Sequence, residues 1–267
     1  MKRKTITDII SRKNAEPLVV LTAYSAPQAR ILDKFVDILL VGDSLGMVLY
    51  GMDSTLSVTM DMMIAHGAAV VRSSSQALVV VDLPFGSYQE SPAQAFKNAA
   101  RIMAETGCAA VKLEGGSEMA ETVRFLTSRG VPVMGHIGLT PQSVHALGGY
   151  RTQGKDELAA TALLEDAKAL ETAGAFAIVL EGVTQEVAKT ITSAIKIPTI
   201  GIGASAACDG QVLVTEDMVG LGGGYIPRFV KQYANIAADI EKAVEQYASE
   251  VKNRSFPSDE YCYPYNK

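Results

Sequence analysis

Ile38-Leu39-Leu40-Val41-Gly42-Asp43-Ser44 is a short apolar run that ends on an ionisable side chain, and that ending decides how the chain folds. Four later runs end the same way. Leu78 to Val81 leads into Asp82, and Ala109 to Val111 into Lys112-Leu113-Glu114. Val131 to Met134 leads into Gly135-His136, and Ala175 to Leu180 into Glu181. In open parallel sheets and closed barrels alike, ligands sit beyond the carboxyl ends of the strands. Repeated down one chain, such endings gather ionisable groups at one end of a parallel sheet, in one site.

Strand-like runs recur at 18–24, 38–43, 78–82, 109–114, 131–136, 175–181, 198–203 and 211–215. They are short, rich in β-branched residues and bounded by Gly, Pro or Asp, as buried strands are. Helical signals separate most of them. Ser91-Pro92 opens a helix over 93–105, with Pro in the first turn and Gly107 as the stop. Further helices are expected over 118–128, from Lys155-Asp156 to Ala173, over 185–193 with Thr184 as cap, and over about 227–251. Eight strands in about 250 residues fit a (β/α)8 TIM barrel. An open doubly wound sheet is the rival, but ionisable ends on the second to sixth strands in turn converge readily only in a closed ring. The expectation is one (β/α)8 barrel domain over 1–267, with 252–267 as a C-terminal tail and residues 46–59 as a loop over the site.

Composition agrees with such a core. Of the 267 residues 48% are hydrophobic and only 6% aromatic, with no Trp, so the interior is aliphatic. At this length roughly three-quarters of the unfolded surface is buried on folding. The formal net charge of -5 comes from mixed acidic and basic residues, which leaves no basic footprint for nucleic acid or an anionic membrane. Three widely spaced cysteines, Cys108, Cys208 and Cys262, read as free thiols of a reduced compartment. The basic N-terminus lacks the apolar core of a signal peptide, and no run reaches the ~18 apolar residues of a membrane span. A cytoplasmic protein is expected.

Asp43 and Asp82 end neighbouring strands, and two carboxylates there do not both stay ionised without a cation between them. Oxygen ligands without His or Cys favour Mg2+ over Zn2+, and Glu114 can join directly or through water. The plainer alternative is that each aspartate caps a helix or meets an arginine. Lys112 and Glu114 lie two apart and share a strand face. Lys112 then serves as charge partner to an anionic substrate, as a Schiff-base lysine, or in an internal ion pair with Glu114. Glu181 ends the sixth strand, across the ring, as a base or as the cap of the next helix. His136 bonds a substrate oxygen or loop carbonyls. His66 and His145 lack ligand spacing. Gly149 to Lys155 imitates a phosphate loop, but Asp156 stands where the Ser/Thr belongs.

In order along the chain, VGDSLGMVLYG, STLSVTMDMMIAH, VDLPFGSY, VKLEGG, VMGHIGLTPQSV, LGGYRTQGK, LEGV and IPTIGIGAS resemble the motif series of the ketopantoate hydroxymethyltransferase family. The likeness runs from about Thr5 to Val251. It implies a TIM barrel of the phosphoenolpyruvate mutase/isocitrate lyase type. It also implies transfer of a hydroxymethyl group from 5,10-methylenetetrahydrofolate to 3-methyl-2-oxobutanoate through a Mg2+-stabilised enolate. The product is 2-dehydropantoate, on the way to pantothenate and coenzyme A. By the same resemblance Asp43, Asp82 and Glu114 hold Mg2+, while Asp43, Ser44, Asp82 and Lys112 contact the substrate. Glu181 is the proton acceptor, and the assembly is a homodecamer. Ser57, Met62 and Ser205 depart from the usual family pattern without replacing a proposed ligand or base. The rivals are a metal-dependent 2-oxo acid lyase of the same superfamily, which would carry a reactive cysteine in a K-K-C-G-H setting, and a barrel that binds a 2-oxo acid without turnover.

Overall fold

The computed structural model describes residues 2–222 and 226–264. Eight strands, β1 (Leu18–Thr22), β2 (Ile38–Val41), β3 (Leu78–Asp82), β4 (Ala110–Glu114), β5 (Val133–Gly138), β6 (Ala177–Glu181), β7 (Thr199–Ile202) and β8 (Gly210–Leu213), form a closed parallel barrel in sequence order. β8 pairs with β1, so no edge is left open. The barrel lies within a compact unit spanning residues 1–215, and residues 216–267 form a second unit.

The period of two along each strand sorts its side chains into two cores. Val79, Val81, Val111, Leu113, Val133 and Ile137 point outward and pack with the surrounding helices. Leu78, Val80, Ala110, Met134, Ala177 and Val179 fill the barrel interior, which Ile9 of the N-terminal helix Ile6–Ile10 joins. Each Val, Leu, Ile or Met among them contributes about 1.5–3 kcal/mol on full burial. Continued toward the carboxyl ends, the inward rows turn ionisable. Leu78 and Val80 are followed by Asp82, Ala110 by Lys112 and Glu114, Met134 by His136, and Ala177 and Val179 by Glu181. The register then sets Asp82 beside Lys112 and Glu114 beside His136.

Two glycines make this mouth possible. On the β2 row the next inward position is Gly42, where a Cβ would meet Ser44 Oγ at 2.9 Å and Asp82 Oδ2 at 3.6 Å. Gly138 has φ +95°, a left-handed conformation, and a side chain there would run into the Glu181 carbonyl. The ends of β5 and β6 therefore approach closely enough to fix Glu181.

The helices follow the sequence signals with shifted boundaries. Ser91 caps Pro92–Thr106 and Gly107 stops it in the left-handed conformation. Asp156 caps Glu157–Thr172. Residues 117–119 form a 3-10 turn before Ala120–Thr127. Thr184 stands at the N-cap of Gln185–Ala194, but its hydroxyl donates to the Gly154 carbonyl instead of capping the helix. The segment 46–59 is not a plain loop: Leu45–Val48 is a helical turn and Thr55–Ser57 a 3-10 turn. In the second unit the last helix begins at Ile236, later than the expected start near Pro227, because Asn235 caps it through the Ala238 N–H. The final residues of the expected tail, 265–267, lie outside the described residues.

Candidate active site

The inward rows deliver a ring of charged side chains to the barrel mouth. Lys112 Nζ lies 3.2 Å from Asp82 Oδ2 and 3.2 Å from His136 Nδ1. Glu114 Oε1 is 3.5 Å from the same His136 nitrogen. On the other side of the ring, His136 Nε2 lies 3.2 Å from Glu181 Oε2, at an angle that makes no hydrogen bond. Asp43 follows Gly42 beyond the end of β2, and its backbone N–H donates to Asp82 Oδ2 at 3.1 Å. Ser44 Oγ and the Tyr24 hydroxyl are 2.8 Å apart. All seven residues picked out in the sequence thus reach one site.

Several of the plainer alternatives fail on this geometry. The Asp82 carboxylate takes Lys112 and the Asp43 carboxylate takes the Gln142 amide, so neither caps a helix or meets an arginine. Lys112 pairs with Asp82 across the strands and not with Glu114 on its own strand. The ring of His136 faces Lys112, Glu114 and Glu181 and satisfies no loop carbonyl. His66 bonds the Tyr24 carbonyl and the Tyr50 hydroxyl, so it is a packing residue. The Ser205 hydroxyl accepts the Ala207 N–H within its own turn.

The electrostatics show more buried carboxyl groups than the one buried ammonium can balance. Burial raises Asp43 and Asp82, the latter to about 7, even though Lys112 pulls both down. Burial, with Asp43 adding repulsion, pushes Glu114 well above the usual carboxyl range. Burial also works against the Lys112 ammonium, but Asp82, Glu114 and Asp43 together outweigh it and raise its pKa. Burial and then Lys112 lower His136, which leaves the imidazole neutral. A neutral ring beside an ammonium accepts at Nδ1, so its hydrogen sits on Nε2.

Among the described residues no three His, Cys, Asp or Glu side chains are spaced to grip a metal ion as they stand. The donor set nevertheless fits a hard cation. Asp82 Oδ1 is buried without a hydrogen-bond partner, and the available ligands are all carboxylate oxygens. Asp43, Asp82 and Glu114 are the residues that could hold one.

Residues 3–259 match the family model for ketopantoate hydroxymethyltransferase. The chain belongs to that family. Two curated relatives named 3-methyl-2-oxobutanoate hydroxymethyltransferase are close in sequence. The one from Paramagnetospirillum magneticum is 66% identical over 98% of this chain and 96% of its own length. The one from Rhodospirillum rubrum is 62% identical over 100% of this chain and 96% of its own. Solved structures share the fold at low identity. Phosphoenolpyruvate phosphomutase from Streptomyces platensis superposes with a TM-score of 0.61 at 12% identity, over 98% of this chain and 92% of that one. The 2,3-dimethylmalate lyase, a member of the PEP mutase/isocitrate lyase superfamily, gives 0.59 at 15%, over 96% and 91%.

This ketopantoate hydroxymethyltransferase family member also has site residues that the charged strand ends do not reveal. Tyr88 and Gln142 are uncharged, lie in the segments that follow β3 and β5, and carry no strand signal. Both are buried, and they are hydrogen-bonded to each other at 2.7 Å. The Tyr88 hydroxyl accepts the Glu114 N–H at 3.1 Å. Their motifs, DLPFGSY and GLTPQS, were the available signal. Among the described residues no helix is long and apolar enough to cross a membrane.

Proposed function

We propose that the chain transfers a hydroxymethyl group from 5,10-methylenetetrahydrofolate to 3-methyl-2-oxobutanoate, giving 2-dehydropantoate. The observation that carries this reading is the 66% identity, over nearly the full length, to a relative named for that reaction. The site chemistry supports it independently. Asp43, Asp82 and Glu114 would hold Mg2+, consistent with the surplus of buried negative charge. When bound, the cation polarises the ketone of a 2-oxo acid and stabilises the negative charge that develops beside it.

Each remaining residue has a role that its position supports. Lys112, charged and buried, attracts the substrate carboxylate to the mouth. The Ser44 hydroxyl, steadied by Tyr24, can bond a substrate oxygen. The Nε2–H of His136 lacks a well-aligned acceptor, and a substrate oxygen supplies one. Glu181 removes the proton from the carbon next to the ketone. With 17% side-chain exposure, against 3% for Asp82 and Glu114, its carboxylate is the one that keeps access to solvent. The resulting carbanion then attacks the one-carbon unit carried by the folate.

The lyase alternative gains nothing from the cysteines. Cys108 and Cys208 precede β4 and β8, at the ends of the strands away from the carboxylates. The family resemblance further supports a cytoplasmic homodecamer. Purified protein with Mg2+, methylenetetrahydrofolate and 3-methyl-2-oxobutanoate is expected to form 2-dehydropantoate, read by mass spectrometry. Absence of that product with both substrates present would refute the assignment.

A further inference from the structure

Gln142 sits in the 3-10 turn Pro141–Ser143 after β5 and is only 4% exposed. Every hydrogen-bonding position of its amide is taken. Nε2 donates to Asp43 Oδ2 at 2.8 Å and to the Leu83 carbonyl at 3.0 Å. Oε1 accepts from the Tyr88 hydroxyl at 2.7 Å and from Gln89 Nε2 at 3.2 Å. The Leu83 carbonyl can only accept, so it fixes which end of the amide is nitrogen. The backbone N–H of the same residue donates to Glu114 Oε2 at 3.0 Å. One residue therefore holds one oxygen of each of two carboxylates that arise from different strands.

We infer that Gln142 is a positioning residue that orients Asp43 and Glu114 for cation binding. Holding Oδ2 of Asp43 and Oε2 of Glu114 leaves the other oxygen of each carboxylate to the cation, and Glu114 Oε1 lies 3.5 Å from His136 Nδ1 in the mouth. The two terminal donors of Gln142 matter more than its bulk. Glutamate has nearly the same shape but would set an acceptor against the Leu83 carbonyl and the Asp43 carboxylate. Outer groups that steady metal ligands typically carry roughly 10–100-fold in metal affinity when they are replaced.

This inference rests on the proposed metal site, and the test separates the two. Mn2+ binding is followed by electron paramagnetic resonance on the full-length wild type, Gln142→Met and Gln142→Glu, with circular dichroism as the control for folding. The expected result is wild-type binding and at least a 10-fold weaker affinity in Gln142→Met, with Gln142→Glu weakened as well. Turnover at saturating Mg2+ should recover much of kcat in Gln142→Met, which a damaged fold would not allow. Failure of the wild type to bind Mn2+ would overturn the metal site itself. Wild-type binding with both variants within twofold of it would overturn the role of Gln142 alone. If Gln142→Met does not fold, the near-isosteric Gln142→Glu decides by the same criterion.

Discussion

Glu181→Gln is expected to bind 3-methyl-2-oxobutanoate with near wild-type affinity and to lose roughly 10²–10⁴-fold in the rate of proton removal, the usual worth of a positioned base. The substitution preserves size and leaves an oxygen near His136, so the neighbouring contacts at 3.2–3.5 Å need little adjustment. What disappears is the only carboxylate of the group that has neither a lysine nor an amide donor on it. Asp43 is held by Gln142, Asp82 by Lys112 and Glu114 by the Gln142 N–H. Exchange of the substrate C–H for deuterium, followed by proton NMR, measures the step without folate. A variant that exchanges within about threefold of wild type would remove Glu181 from the base role, whatever its effect on product formation.

Lys112→Ala is expected to act on both stability and binding. The ammonium is buried among three carboxylates, and breaking a buried pair by removing one partner costs about 3–5 kcal/mol. Protonation of the abandoned carboxylates relieves part of that cost, and the relief depends on pH. Asp82 already has its pKa raised to about 7 in the fold. A carboxyl raised above its unfolded value contributes stability that is fully present below the unfolded pKa and is lost as pH rises through the folded one. Removal of the lysine lifts Asp82 further. Burial continues to lower His136, but the repulsion from Lys112 that adds to it is gone, which makes protonation of the ring easier at low pH. The gap in melting temperature between wild type and variant, measured on metal-free protein, should therefore be small at pH 5 and roughly 10 °C at pH 8. Binding of the 2-oxo acid should weaken by on the order of 100-fold, the scale of one buried charge-assisted contact. Equal melting temperatures at pH 8 would show that the lysine does not balance the carboxylates.

The ring of ionisable groups was legible because strand geometry is periodic. Inward positions two apart carry Ala110, Lys112 and Glu114 on one strand, and Leu78, Val80 and Asp82 on its neighbour, so polarity changes along a row that the barrel must bury. Asp43 was picked out by the same ending of an apolar run, although in the structure the next inward position of its strand is Gly42 and Asp43 lies one residue beyond it. Pairing was not legible. Two residues on one strand share a face, which suggested Lys112 with Glu114, but the parallel register brings Asp82 opposite Lys112 at closer range. Tyr88 and Gln142 escaped because uncharged side chains in loops carry no period, and only the closed barrel brings β3 and β5 loops over the same carboxylates. The late start of the last helix, at Ile236, reflects an Asn235 cap that outweighs the Pro signal at 227.

Buried acids that outnumber their one counter-charge, facing a freer carboxylate across the barrel mouth, form the physical core of the proposed chemistry. The most direct measurement incubates the wild-type protein with Mg2+ and 3-methyl-2-oxobutanoate in D2O, without folate. Replacement of the proton beside the ketone by deuterium, abolished by EDTA and restored by added Mg2+, is the predicted result. Substrate bound in the presence of Mg2+ with that proton retained would contradict it.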